Sequence, residues 1–370
     1  MTYRLGRPGR LGPIVVAQTA AAGFSSFPSP FYHRIAGATG SPWTTTLLFV
    51  AHGTAAAAAM ALLTRPALAA RVTRLGPGRL IPALLLIDAA GAVPLILAPE
   101  PAGVGPLLLG RIITGAAMGA LTPLTTTVLA QHRHGTVLAT GAIFGGVGGG
   151  ALIAGALAAS GLPREAVFGI GALGLLAAAA AAGRRQPDVH RPAAEDPGGD
   201  RPVEPVRPEA PAPPPRATGG GNTLIIGGAA LAFTANGVLG LFSSTLPGLI
   251  AERSGGSELV AGASAGLVLL AAGAARLGVT RAPAAVVRGV ALAVALLGTV
   301  MFVAGLRADT VPVALTGGIL LGAAAGIGYD TALAVATGHR AQVRLIARVQ
   351  YAGQLGLVLP VAAYPLVVPP

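Results

Sequence analysis

Cysteine and lysine are both absent from the 370 residues, and charge of either sign is scarce. Without cysteine there is no disulfide framework and no thiolate metal site. All 25 basic residues are arginine; with so much Ala, Gly and Pro this points to a GC-rich bacterial genome and says nothing about mechanism. Only 10% of residues are charged and 4% aromatic, whereas soluble domains carry about a quarter charged. P-loop and HExxH patterns are missing, which argues against ATP-driven transport and zinc peptidase chemistry. What is present is apolar: 53% hydrophobic residues and a mean hydropathy of +0.71. The 55 glycines and 31 prolines would suggest disorder in water. Within apolar segments they suit transmembrane helices, where small residues let backbones approach.

Eleven apolar segments follow one another, at 11–32, 43–64, 79–98, 105–130, 136–160, 164–183, 222–250, 258–276, 283–305, 310–337 and 343–367. Most come near the roughly 20 residues that cross a bilayer as a helix. The sequence therefore predicts an all-α, multi-pass integral membrane protein with lipid as its surrounding solvent. The first segment contains Pro28 and Pro30 and leads straight into another span, so it is read as a span, not a cleaved signal.

The net charge of +12 has a topological explanation. With the N-terminus in the cytoplasm, Arg4, Arg7, Arg10, Arg65, Arg71, Arg74, Arg79, Arg133, Arg276, Arg281, Arg288, Arg340, Arg344 and Arg348 fall inside, as do six arginines between 184 and 216. Outside loops hold Arg34, Arg164, Arg253 and Arg307; Arg111 lies within a span. The excess of cytoplasmic arginine is the positive-inside pattern. Because these arginines are spread over many loops, with no interleaved aromatics, nucleic acid is not the expected partner.

Residues 184–221 are charged and Pro-rich and end in Gly219-Gly220-Gly221, reading as a disordered cytoplasmic linker, with a regulatory docking segment as the alternative. The expected organisation is a six-helix bundle over 1–183, the linker over 184–221, and a five-helix bundle over 222–370. The bundles echo each other. Phe24-Ser25-Ser26-Phe27-Pro28 matches Phe242-Ser243-Ser244-Thr245-Leu246-Pro247, and Gly115-Ala-Ala-Met-Gly119 matches Gly322-Ala-Ala-Ala-Gly326. Two related halves imply a cavity between them and rocking of one against the other.

The fourth span names a family. Leu107-Leu-Leu-Gly-Arg111-Ile-Ile-Thr-Gly115-Ala-Ala-Met-Gly119 resembles the fourth-helix motif of the major facilitator superfamily. Gly141-Ala-Ile-Phe-Gly145-Gly146-Val-Gly-Gly149-Gly150 is similar to the G-x-x-x-G-P-x-x-G-G motif of its drug:proton antiporters. The resemblance covers nearly the whole chain and implies two pseudo-symmetric bundles around a substrate cavity. Three departures accompany it. Gly146 stands where the motif has Pro, so the expected kink is weakened. The family's loop G-x-x-x-D-R-x-G-R-R keeps Arg74, Gly76 and Arg79 but has Thr73 for its Asp. The family's twelfth helix has no counterpart after the eleventh segment, so the sequence reads as truncated there.

Ionisable groups in mid-span are functional candidates. Asp330 lies on a helix that the resemblance sets along the cavity and is the first candidate for a proton site, since an acid in low dielectric can load and release a proton near neutral pH. The bland alternative is an Asp satisfied by Arg340 or water. Asp88 and His52 lie at similar depth on neighbouring spans and could form a pair or a structural hydrogen bond. Arg111 keeps its charge and could hold an anion, a carboxylate or a helix C-terminus. Gln18, Tyr32, Asn236, Tyr329, Gln350 and Gln354 are polar candidates for the substrate cavity. Gly115, Gly119, Gly141, Gly145, Gly149 and Gly150 read as packing surface or gating hinge. No metal site and no cofactor is expected. The expected function is proton-coupled efflux of a small, neutral or amphipathic organic compound by a monomer in the bacterial inner (plasma) membrane. Uptake by the same fold and a transport-inactive sensor or assembly protein are the alternatives.

Overall fold

A computed structural model describes residues 11–41, 43–98, 103–132, 134–184, 220–244, 246–253, 255, 257–278, 282–337 and 343–367. Most of the 184–221 linker, the Arg4–Arg10 tail, Arg133, Arg281, Arg340 and Pro370 lie outside the described residues.

The first apolar segment does not form one uninterrupted helix. It divides into α1 (Gly12–Ser26), a 3-10 turn (Ser29–Phe31) and α2 (Tyr32–Thr39). Pro28 and Pro30 remove the N–H donors that a continuous helix would need at this point. The seventh segment is described as two helices, α9 (Gly220–Ser244) and α10 (Leu246–Glu252), with Thr245 outside the described residues. The other spans are α3 (Trp43–Leu63), α5 (Pro77–Leu97), α6 (Val104–Leu129), α7 (Gly135–Ala159), α8 (Arg164–Arg184), α11 (Glu258–Gly278), α12 (Ala284–Arg307), α13 (Val311–Thr337) and α14 (Val343–Val367). Ten described helices are long and apolar enough to cross a membrane. One element was read from sequence as loop: α4 (Pro66–Leu75), with exposed Arg71 and Arg74. It closes at Gly76, whose φ of +77° suits glycine.

Glycines set the packing within each half. A Cβ added to Gly115 or Gly119 would lie 2.2 Å from His52 O or 2.4 Å from Ala56 O, so α6 rides directly on the backbone of α3. In the other half a Cβ added to Gly322 or Gly326 would run into Val268 O or Ala272 O of α11. The repeated glycine pattern in sequence is thus a repeated helix contact.

The halves meet along two seams, α7 with α11 and α3 with α14. In the first seam Gly148 and Gly155 of α7 face Gly266 and Gly262 of α11. The opposite face of α7 packs on α1, with Gly146 over Thr19 and Gly150 over Gly23. Each half has its own core, one around Phe31, Leu85 and Phe168 and the other around Leu239, Leu269 and Leu333. Ile143 and Phe144 of α7 cross over to join the second. The outward faces stay apolar, as with Leu173 and Val300, which is what lipid contact requires.

Candidate functional site

A cavity lies between the halves. The first half contributes Ser25, Ser26, Ser29, Tyr32, Phe49, His52, Met60, Arg111, Met118 and Thr122. Ile143, Phe144 and Val147 come from α7, and Asn236, Ser243, Leu269, Tyr329, Gln350, Gln354 and Leu357 from the second half. Hydroxyls and amides alternate with apolar side chains, and among the described residues no acid lines the cavity.

Arg111 is its centre of charge. The side chain is 2% exposed, and it spends two of its nitrogens on backbone carbonyls. Nη1 donates to Ser25 O at 2.8 Å and Nε to Leu48 O at 3.5 Å. Ser25 is near the end of α1, ahead of the Pro28 break, so the guanidinium ties the broken first span to α6. Asp88 of α5 lies within electrostatic range of Arg111 but forms no ion pair with it. Its Oδ2 is buried and takes no hydrogen bond among the described residues. The expected His52–Asp88 pair does not form. His52 Nδ1 meets Thr114 Oγ1 at 3.3 Å, and that hydroxyl donates to Arg111 O at 3.2 Å. His52, Asp88, Arg111 and Thr114 are nonetheless gathered where α3, α5 and α6 meet, since Gly91, one turn from Asp88, packs on Thr114.

Of the polar candidates, Tyr32, Asn236, Tyr329, Gln350 and Gln354 line the cavity. Gln18 does not; it is fully buried against α6, donating to Thr122 Oγ1 at 3.3 Å and accepting from Thr125 Oγ1. Asp330 is buried on α13 but is not a lining residue; its neighbour Tyr329 takes the wall and packs edge-on against Phe144 across the halves, ring centroids 5.1 Å apart. Gly115 and Gly119 face α3, and Gly150 faces α1, with no cavity lining. A Cβ on Gly145 or Gly149 meets nothing within 4 Å, and one on Gly141 only Gly273 O at 3.9 Å. Arg74 and Arg79 are exposed at the end of the bundle where α8 finishes and α9 begins. Sequence reasoning missed the serine contacts: Ser26 Oγ donates to Val147 O at 2.7 Å within the first half, and Ser29 Oγ donates to Ser243 O at 3.2 Å, joining the halves at the opposite end. Their signal was present in the repeated Phe-Ser-Ser.

Gly262-Ala-Ser264-Ala-Gly266 has the spacing of a hydrolase nucleophile elbow, but its context does not match. It lies in mid-helix in α11, Ser264 Oγ donates to Ala261 O at 2.9 Å, and both glycines serve the α7 seam. An elbow needs an exposed serine on a strand-to-helix turn.

Two bundles of membrane-spanning helices that share a polar central cavity define a membrane transporter, not an enzyme. The chain belongs to the Major Facilitator Superfamily, whose family model matches residues 14–359. No curated protein matches the sequence. Among solved structures the fold is similar to that of the human organic anion transporter MFSD10 (TETRAN). The TM-score is 0.64 at 14% identity, over 97% of this chain and 94% of that one. At that identity the likeness shows the fold alone.

Proposed function

We propose that this transporter moves a small amphipathic organic compound by alternating access, driven by protons. The observation that carries the reading is the cavity itself: it lies between two pseudo-symmetric halves, joins polar groups to apolar ones, and has one arginine in its wall. The halves touch at both ends of the cavity. Ser29 meets Ser243 and Arg34 pairs with Glu258 at one end, and Arg344 Nε donates to Thr64 O at 2.9 Å at the other. Rocking about the α7–α11 and α3–α14 seams breaks one set of contacts while keeping the other.

In this proposal Asp88, rather than Asp330, carries the proton. It is buried, it faces the Arg111 charge, and protonating it changes the field that Arg111 feels. The α7 glycines, which resemble the antiporter motif, favour export. Proton-coupled uptake is the second reading, favoured by the nearness of Arg111 to Asp88: a proton on the acid would strengthen the cavity's positive charge and help hold an incoming anion. The proposal includes a monomer in the bacterial inner membrane, with bundles 1–183 and 222–370 joined by a cytoplasmic linker at 184–221. The test is flux of a labelled compound in proteoliposomes of purified protein, with and without a pH gradient. Gradient-dependent flux is expected; equal flux in both conditions overturns the proton drive.

A further inference from the structure

Resting on the reading of the cavity as the substrate route, we infer that the transported compound is an organic anion with an apolar body, its carboxylate or sulfonate taken by Arg111. Among the described residues Arg111 is the one lining side chain with a permanent charge. It is almost wholly buried, yet its described hydrogen-bond partners are two backbone carbonyls, dipoles without net charge, and Asp88 lies within electrostatic range without forming an ion pair. Nη2 donates to nothing among the described residues. A buried charge without a counter-ion in contact is costly, and an anion arriving in the cavity supplies one. A guanidinium favours a planar or trigonal oxyanion.

The rest of the wall narrows the class. Phe49, Phe144, Met118 and Leu269 offer an apolar surface for a ring or alkyl chain. A phosphate monoester, carrying nearly two charges, would need more cations than the wall holds. An organic cation would meet Arg111 with no lining acid to offset the repulsion. A neutral compound would leave the guanidinium as it stands, so it gains least.

The test uses the full-length protein in detergent and four probes on one skeleton: naphthoate, naphthalenesulfonate, naphthamide and naphthylmethylammonium. Isothermal titration is expected to show both anions binding, and the amide and ammonium weaker by about tenfold or more, the loss of one charged hydrogen bond. Arg111 also ties α1 to α6, so Arg111→Gln could unfold the chain. Gln354→Glu therefore serves as the second variant: it adds a negative charge to the wall, without touching the Arg111 bonds, and is expected to weaken both anions about tenfold at unchanged thermal stability. Amide or ammonium binding as tightly as the anions, no binding of either anion, or anion affinity unmoved by Gln354→Glu would each overturn the assignment. Gradient-driven flux of a cation or neutral compound would sink the anion while leaving the transport reading intact. Anion binding without any gradient-driven flux would do the reverse.

Discussion

The pair α5–α6 and the pair α12–α13 are built on the same contacts. Gly110 packs on Leu95 and Gly91 as Gly317 packs on Phe302 and Gly298, and Gly91 reaches the Thr114 backbone as Gly298 reaches that of Leu321. Every second-half residue here carries its counterpart's number plus 207. By the same correspondence Asp88, Arg111 and Thr114 fall on Ala295, Gly318 and Leu321. Where Arg111 reaches across to α1, a Cβ on Gly318 would meet the Phe242 ring at 2.7 Å. Glycines that set helix spacing are therefore common to both halves, while the charged cluster exists in one. In the proposed mechanism the scaffold is symmetric because rocking needs two matched bodies, and the chemistry is not because one charged site suffices for one substrate. The outer faces differ too. The α5 span is 39% buried, with α8 against it, and the α12 span 11%, with no described helix in the corresponding place.

The symmetric part is the easiest to break. Gly119→Leu and Gly326→Leu both drive side chains into carbonyls of the neighbouring helix, at Ala56 and Ala272. Both should cost about 3 kcal/mol and reduce the yield of monodisperse protein alike. Thermal unfolding in detergent checks this, and a tolerant second half would break the parallel. Next in size is Arg111→Gln, expected to abolish transport and to cost about 1–3 kcal/mol of stability by leaving the Ser25 carbonyl without its charged donor. Gly318→Ala, at the corresponding place, should keep transport, because the Phe242 ring edge can shift. Flux and melting temperature measured side by side separate the two.

The seams give a finer comparison. Gly148→Val would press on Gly266 O, 2.7 Å from the new Cβ, and should wedge α7 from α11 and slow flux with little unfolding. Gly53→Ala, in the α3–α14 seam, meets the Val358 Cγ2 methyl and should have the smaller effect on rate. Smallest of all is Arg34→Ala. Its ion pair with Glu258 is partly exposed, so the loss should stay below about 1 kcal/mol, read as a melting shift of a few degrees at most.

The spans and the twofold repeat were legible in the sequence because lipid imposes long apolar runs and glycine marks close helix contacts; eleven spans were read and ten described helices are long and apolar enough to cross. The break at Pro28–Pro30 was also written in proline, though read as part of a continuous span. The site was less legible. Periodicity says that Tyr329 and Asp330 share a helix but not which of them looks into the cavity; that depends on helix rotation, which the α13 glycines set through contacts with α11. Gln18 drew attention as a polar group in a span, and only the facing threonines of α6 reveal that it is already satisfied. The Asp88–Arg111 neighbourhood joins residues on two helices whose vertical register no single-helix pattern contains.

The most direct test of this one-sided chemistry is pH-gradient-driven flux of wild type, Asp88→Asn and Asp330→Asn in proteoliposomes at matched protein. Wild type and Asp330→Asn should accumulate substrate with the gradient and lose it on adding a protonophore, while Asp88→Asn should exchange substrate but no longer respond to the gradient. If Asp330→Asn loses that response and Asp88→Asn keeps it, the proton site lies in the second half and the account is contradicted.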